Sequence, residues 1–192
     1  MGLAEKLDGL VVEVSSPDGR IWARVRGMDG SLDVGFHGNG AYRQYSSTGL
    51  ARQLVQLATA TFTGYRRAEQ KIVDDELGGS ALRDDGIDFG PQRRRYLAAL
   101  AQIAVTAASA DRTITVATRG MVRWEVTVFP GTVSRLTEQA FLDRLTDTAA
   151  EVVQRYRARV ALLKDDIYDL GYPDGYRIAN GIGRRGEMKP VP

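Results

Sequence analysis

The sequence has no cysteine and only one histidine among its 192 residues. The lack of cysteine excludes disulfides, thiolate nucleophiles and zinc sites of the zinc-finger kind. No apolar run approaches the length of about 18 residues that suggests a membrane span. The start, MGLAEKLDGL, has the pattern of neither a signal peptide nor an anchor. We therefore expect a cytoplasmic protein without membrane insertion.

A large charge of one sign is also missing, since the formal net charge is +2. Residues 171–192 hold four basic and two acidic side chains, which leaves 22 of each sign in residues 1–170. A neutral body of this kind does not attract nucleic acid through bulk charge. Any nucleic-acid site must therefore be a local cluster of basic side chains.

Residues suited to catalysis or metal binding are few. His37 has no carboxylate or metal-ligand partner at a readable spacing, which is typical of a surface or loop histidine. The glycines of residues 35–40 form no phosphate-binding fingerprint, and the acidic groups at 74–76, 84–85 and 165–166 lack EF-hand spacing. We expect no enzyme activity, no cofactor and no metal.

Residues 10–37 have the pattern of an antiparallel meander, with the runs LVVEVSS, RIWARVRG and SLDVGFHG separated by turns at residues 17–19 and 28–30. Alternation in the middle strand places Ile21, Ala23 and Val25 on one face. The opposite face then carries Arg20, Trp22, Arg24 and Arg26. This second face combines cations with an aromatic ring, which suits stacking on bases or packing against an apolar neighbour.

A long amphipathic helix follows, capped by residues 46–48 and running to about Leu77. Gly64 within it costs about 1 kcal/mol relative to alanine and therefore predicts a close contact or a kink. The apolar stripe is Leu50, Leu54, Leu57, Thr61, Tyr65, Ala68 and Ile72.

The second half of the chain begins after a linker of turn formers and acids at residues 78–91. Pro91 suits the first turn of a helix, which we predict to continue through about Ser109. The runs TITVATRG and MVRWEVTVF then predict a hairpin. The buried side of the predicted helix consists of Leu97, Leu100, Ala101, Ala104 and Ala107.

The longest helical pattern covers residues 137–170, with Thr137 as its N-cap and Gly171 and Pro173 at its end. At about 1.5 Å per residue such a helix is roughly 50 Å long, so another helix should cover part of its stripe. That stripe is Leu142, Leu145, Ala149, Val152, Tyr156, Val160, Leu163, Ile167 and Leu170.

An internal repeat links the two halves. The triplet at residues 32–34 matches that at 124–126 at an offset of 92, and residues 12–14 match 114–116 after a deletion. With a shift of one residue, the first helix falls on the last one. The matching positions are Leu50, Leu54, Ala58, Tyr65 and Arg66 on Phe141, Leu145, Ala149, Tyr156 and Arg157.

These patterns predict an α+β protein in which two tandem antiparallel-sheet-plus-long-helix units pack as a pseudo-dimer. Unit 1 is residues 1–77, the linker 78–91, unit 2 residues 92–170, and the flexible basic tail 171–192. The helix residues predicted to form the pairing core are Leu50, Leu54, Leu57, Tyr65, Leu142, Leu145, Val152 and Tyr156.

The turns and apolar positions of residues 10–77 resemble the YbaB/EbfC family, and residues 95–170 do so more weakly. The resemblance implies α+β units that dimerise and a nucleoid-associated, DNA-binding role. It also extends to actinobacterial relatives among accessory proteins of type VII (ESX) secretion, such as EspL, EspD and EspH. With two units in one chain, the pairing is either a homodimer or an internal pseudo-dimer.

Two functional hypotheses follow. The first is non-specific DNA binding through local basic clusters, and the second is binding of a protein partner as an accessory or chaperone of secretion. The arginines at 155, 157 and 159 form a further basic group with the tail. The candidate nucleic-acid residues are Arg20, Trp22, Arg24, Arg26, Arg93, Arg94, Arg95, Arg184 and Arg185.

Overall fold

The computed structural model describes residues 2–27, 30–76, 90–171 and 173–179. The same series of elements occurs twice: a short helix, three strands, a helical turn and a long helix. The first series is α1 (Leu3–Asp8), β1 (Val11–Ser15), β2 (Ile21–Arg26), β3 (Ser31–Phe36), a 3₁₀ turn (Tyr42–Gln44) and α2 (Ser47–Glu76). The second is α3 (Pro91–Leu100), β4 (Ala104–Ala108), β5 (Ile114–Arg119), β6 (Arg123–Val128), α4 (Thr132–Arg135) and α5 (Glu138–Tyr168), with α6 (Asp174–Ala179) after it.

The strands form two antiparallel sheets, in the order β1-β2-β3 and β4-β5-β6. Ile21, Ala23 and Val25 are buried on the inner face of the first sheet, and Ile114 and Val116 occupy the equivalent positions in the second. The predicted α+β class, with two tandem sheet-plus-helix units, is confirmed.

The prediction of a helix through Ser109 is wrong, because α3 ends at Leu100 and β4 follows. Val105 pairs with Thr118 of β5, and both Val105 and Ala107 are buried in the alternating pattern of a strand. The alanines of this run favour a helix by less than about 1 kcal/mol per residue. Pairing with β5 outweighs that preference, since it satisfies main-chain groups and covers an otherwise open sheet edge. Leu97, predicted to be buried, is 51% exposed.

The predicted repeat is correct for the triplets at residues 32–34 and 124–126 and for the two long helices, but it is wrong for residues 12–14. By strand order, residues 12–14 of β1 correspond to 105–107 of β4, not to 114–116 of β5. The turns confirm this correspondence. The Ser16 hydroxyl donates to Asp18 at 2.6 Å and accepts from the Ile21 N–H, and the Ser109 hydroxyl does the same with Asp111 at 2.8 Å and with Ile114.

Asp111 also fixes the long helix of its own half. The Arg144 guanidinium on α5 donates to its carboxylate at 2.8 Å. The hydrogen bond from the Thr113 hydroxyl, together with those from Ser109 and Arg144, holds the pKa of Asp111 well below its usual value. The turn between β4 and β5 is therefore a charged anchor point for α5.

Each long helix crosses from one sheet to the other. α2 packs on β1, β2 and β6, while α5 packs on β4, β5 and β3. One continuous core results, with residues of both halves in contact, so the chain is an internal pseudo-dimer. Of the predicted pairing residues, Leu50, Leu54, Leu57, Leu145 and Val152 are buried, and Tyr65, Leu142 and Tyr156 are half-buried.

The segments that lead into the two long helices dock against each other. The fully buried rings of Tyr42 and Phe141 lie 5.1 Å apart between centroids, and Phe36 lies 6.4 Å from Phe141. The Ser47 hydroxyl donates to the Phe129 carbonyl at 3.0 Å. This aromatic contact and the polar bond beside it join the halves where the helices begin.

The predicted helix caps are confirmed, since the Ser46 and Thr137 hydroxyls accept from the N–H groups of Gly49 and Ala140 at 3.1 and 3.2 Å. The close contact predicted at Gly64 is also present. A Cβ there would lie 3.2 Å from a methyl carbon of Val12, so α2 approaches β1 closely at this point.

The expected cover of α5 by another helix comes from α3, whose Tyr96 ring lies 5.9 Å from that of Tyr168. α5 ends at Tyr168, with Asp169 in the left-handed conformation, and Leu170 is 58% exposed. The helices α1 and α6 were not predicted. The linker lies almost wholly outside the described residues, as does the tail beyond residue 179.

Candidate functional site

The basic face predicted on β2 lies on the outer side of the first sheet, away from the long helices. There Glu13 and Asp33 stand directly across from Arg24 on the two neighbouring strands. Arg24 donates to Glu13 at 2.6 and 2.8 Å, and Arg26 forms an ion pair with Asp33. These two acidic neighbours offset the positive charge that the sequence pattern suggested.

Trp22 on the same face is half-buried. A Cβ on Gly35 would lie 2.6 Å from the indole, so the ring packs flat on the backbone of β3. The Arg24 guanidinium carbon lies 5.6 Å from the ring centroid, within the range of a cation–π contact. Of the two roles open to Trp22, packing against neighbours is the one that the geometry provides.

The other predicted cationic groups do not join this face. Residues 93–95 lie on α3, which packs against α5 on the helical side of the sheets, with Arg94 and Arg95 exposed. Arg159 on α5 donates to the Ala104 carbonyl of β4 at 3.1 Å, and Arg155 donates to that of Thr106, so both cover a strand edge. Arg184 and Arg185 lie outside the described residues.

His37 is exposed just after the end of β3, as predicted. Within the described ranges, no group of three or more His, Asp or Glu side chains is arranged to hold a metal ion. In the same part of the chain, none of the helices combines the length and the apolar character that a membrane span requires.

An apolar groove with a volume of about 700 Å³ lies between α2 and α5. Inner-face residues of the two sheets form its floor, α2 and α5 form its walls, and α3 contributes Tyr96 and Leu100. Among its lining residues are Leu32 and Trp124 on the floor, Phe62 and Tyr65 on α2, and Val153 and Tyr156 on α5.

Equivalent residues of both halves of the chain line the groove. Leu54 and Leu145 are one such pair, Ala58 and Ala149 a second, and Tyr65 and Tyr156 a third. Arg66 and Arg157 are a fourth pair. The lining thus combines aliphatic side chains with aromatic rings and arginines, and the last two residue types are enriched at protein interfaces.

In the part of the lining that the structure describes, the charged residues are Arg66, Arg157, Lys164 and Glu69. The Arg66 guanidinium carbon lies 5.9 Å from the centroid of the Phe62 ring. Burial raises the pKa of Tyr156 above its usual value, and the nearby Arg66 charge opposes that rise. The mouth of the groove is therefore basic, and its interior is apolar.

The sequence pattern predicted some residues of this site, but as part of the pairing core. Leu54, Leu57, Tyr65, Leu145 and Tyr156 were predicted as pairing-core residues, and all of them line the groove. Phe62, Trp124 and Arg66 were missed as site residues. A signal existed in the Tyr–Arg pair that occurs both at residues 65–66 and at residues 156–157.

No protein-family model, no curated protein and no solved structure matches this chain. The resemblance to the YbaB/EbfC family therefore stays a prediction from the sequence.

Proposed function

We propose that the protein is a non-enzymatic binding protein and that the groove between α2 and α5 takes up a segment of a partner protein. The observation that carries this proposal is the apolar groove of about 700 Å³ that equivalent residues of both halves line. An exposed apolar surface of this kind is costly in water unless a partner covers it.

The composition of the lining supports a protein partner. Trp124, Phe62 and the tyrosines at 65 and 156 offer large, rigid contact areas, and such residues account for most binding energy at interfaces. The role agrees with the secretion-accessory hypothesis drawn from the sequence, because an accessory or chaperone must hold an apolar segment of its client.

A random-peptide display library selected on the purified protein tests the proposal. Ala58→Trp and Ala149→Trp fill the groove from either wall, whereas Ala60→Trp and Ala150→Trp add the same side chain at exposed positions of the same helices outside the lining. We expect peptides that bind the wild type and both control variants but neither filled variant. If no enriched peptide depends on the groove, the proposed function is wrong.

DNA binding is a second candidate, supported by the exposed Arg94 and Arg95 on α3. In this candidate role the arginines at residues 93–95 of α3 make two or three phosphate contacts. Each neutralised phosphate contributes about −0.9 to the slope of log K against log salt, so the slope should be about −2 to −3.

An electrophoretic shift series at several salt concentrations, on the wild type and on a variant with Gln at positions 93, 94 and 95, tests this candidate. We expect the triple substitution to remove most of the slope without unfolding the protein. No shift of either protein at about 50 mM salt, where such binding is much stronger than at about 200 mM, would exclude DNA as a partner.

A further inference from the structure

The groove also indicates what kind of segment it would hold, and this inference rests on the function proposed above. We propose that the occupant is an amphipathic α-helix whose polar face carries acidic residues. The helical form follows from the apolar interior of the groove, and the acidic face follows from the charges at its mouth.

A helix fits the interior because it satisfies its own backbone hydrogen bonds. The groove offers mainly apolar side chains, such as Leu57, Val34 and Val126. An extended segment would press its main-chain N–H and C=O groups against these side chains without partners, which is unfavourable. The walls are themselves long helices, so a third helix can place its apolar ridge between them.

The acidic face follows from charge complementarity. Among the described residues of the lining, three are cations, Arg66, Arg157 and Lys164, and one is an acid, Glu69. A helix seated on the apolar floor turns its polar face towards this mouth. Acidic side chains there are attracted and basic ones are repelled, which selects among helices of equal apolarity.

Three synthetic peptides of about 18 residues, roughly 27 Å as a helix, test the inference by fluorescence anisotropy. The first has leucines at i, i+3, i+4 and i+7 spacing and glutamates on its polar face. The second replaces every glutamate with lysine, and the third has the composition of the first with the leucines moved out of helical spacing. We expect the first peptide to bind about tenfold more tightly than either of the others.

Neighbouring arginines on α2 supply a matched pair of variants. Arg66 belongs to the groove lining, whereas Arg67 is exposed outside it. We expect Arg66→Glu to lower the affinity for the glutamate peptide about fivefold to tenfold. Arg67→Glu should change that affinity by less than about twofold. Circular dichroism of both variants checks that they remain folded.

The outcomes separate the two proposals. If the display peptides depend on the groove but are extended or basic, this inference is wrong and the proposed function stands. The same conclusion follows if Arg67→Glu weakens binding of the glutamate peptide as much as Arg66→Glu does. If a labelled fatty acid binds the wild type saturably but does not bind Ala58→Trp, and if no peptide binds, both proposals are wrong.

Discussion

Replacing Phe141 with alanine should be among the most destabilising single substitutions in the chain. Its side chain is fully buried, with ring centroids 5.1 Å from Tyr42 and 6.4 Å from Phe36. Burial of a phenylalanine contributes about 1.5–3 kcal/mol, and each aromatic contact adds about 0.5–1.5 kcal/mol. We therefore expect Phe141→Ala to lower the free energy of unfolding by about 3–5 kcal/mol, the range found for buried phenylalanines.

The assay is urea unfolding followed by tryptophan fluorescence, since each half contains one tryptophan. Trp22→Phe leaves Trp124 as the reporter of the second half, and Trp124→Phe leaves Trp22 as the reporter of the first. Because Phe141 packs on aromatic residues of the first half, both reporters should show the same loss. Phe129→Ala, at a 56% exposed position, should cost less than about 0.5 kcal/mol. A loss seen by Trp124 alone would refute the shared core.

Three further predictions concern the core, a turn and an acidic anchor. Leu145→Ala should lower the free energy of unfolding by about 2–5 kcal/mol in the same urea assay, and a loss under about 0.5 kcal/mol would mean that this stripe faces solvent. Gly120→Ala should cost about 2–3 kcal/mol, because its φ of +60° adds about 1–2 kcal/mol and its Cβ would lie 2.9 Å from the Ala101 carbonyl oxygen. Gly19→Ala, with φ of +69° and open space around it, should lose only the stability that the backbone conformation costs. If Gly19→Ala and Gly120→Ala lose equal stability in thermal unfolding, the contact with Ala101 adds no cost and the reasoning is wrong. Asp111→Asn should destabilise the protein at neutral pH. Because the pKa of Asp111 is lowered in the folded protein, its carboxylate stabilises the fold at pH values above the pKa of about 3.9 that it has in the unfolded chain. That difference should shrink as the pH falls through the acid range, and a difference constant with pH would count against the anchor.

Secondary structure was largely predictable because its causes are local. Alternation in β2 and the serine and threonine caps placed elements to within a few residues. The failure at residues 101–109 has a physical reason. Ala107 fits a helical stripe together with Ala104 and the buried face of a strand together with Val105, and only the distant β5 decides between the two structures.

The groove could not be predicted, because it depends on how the two sheets meet. Part of the α5 stripe was expected to be covered by another helix, but the sequence did not show that Ala149, Tyr156 and Val160 would be half-buried residues in the wall of a groove. The acidic partners of the β2 arginines were also unforeseen. Asp33 lies across from Arg24 only once the register of β3 is known, and one residue of slip would move it to the other face.

The two tryptophans also provide the most direct test of the central claim, that the groove is the binding site. Trp124 lines the groove, whereas Trp22 lies on the outer face of the first sheet. The measurement is a titration of the ¹⁵N-labelled protein with the glutamate peptide, following the two indole N–H resonances. We expect the Trp124 resonance to shift to saturation while that of Trp22 stays in place. A shift of Trp22 with Trp124 unmoved would place the ligand on the opposite face and contradict the account.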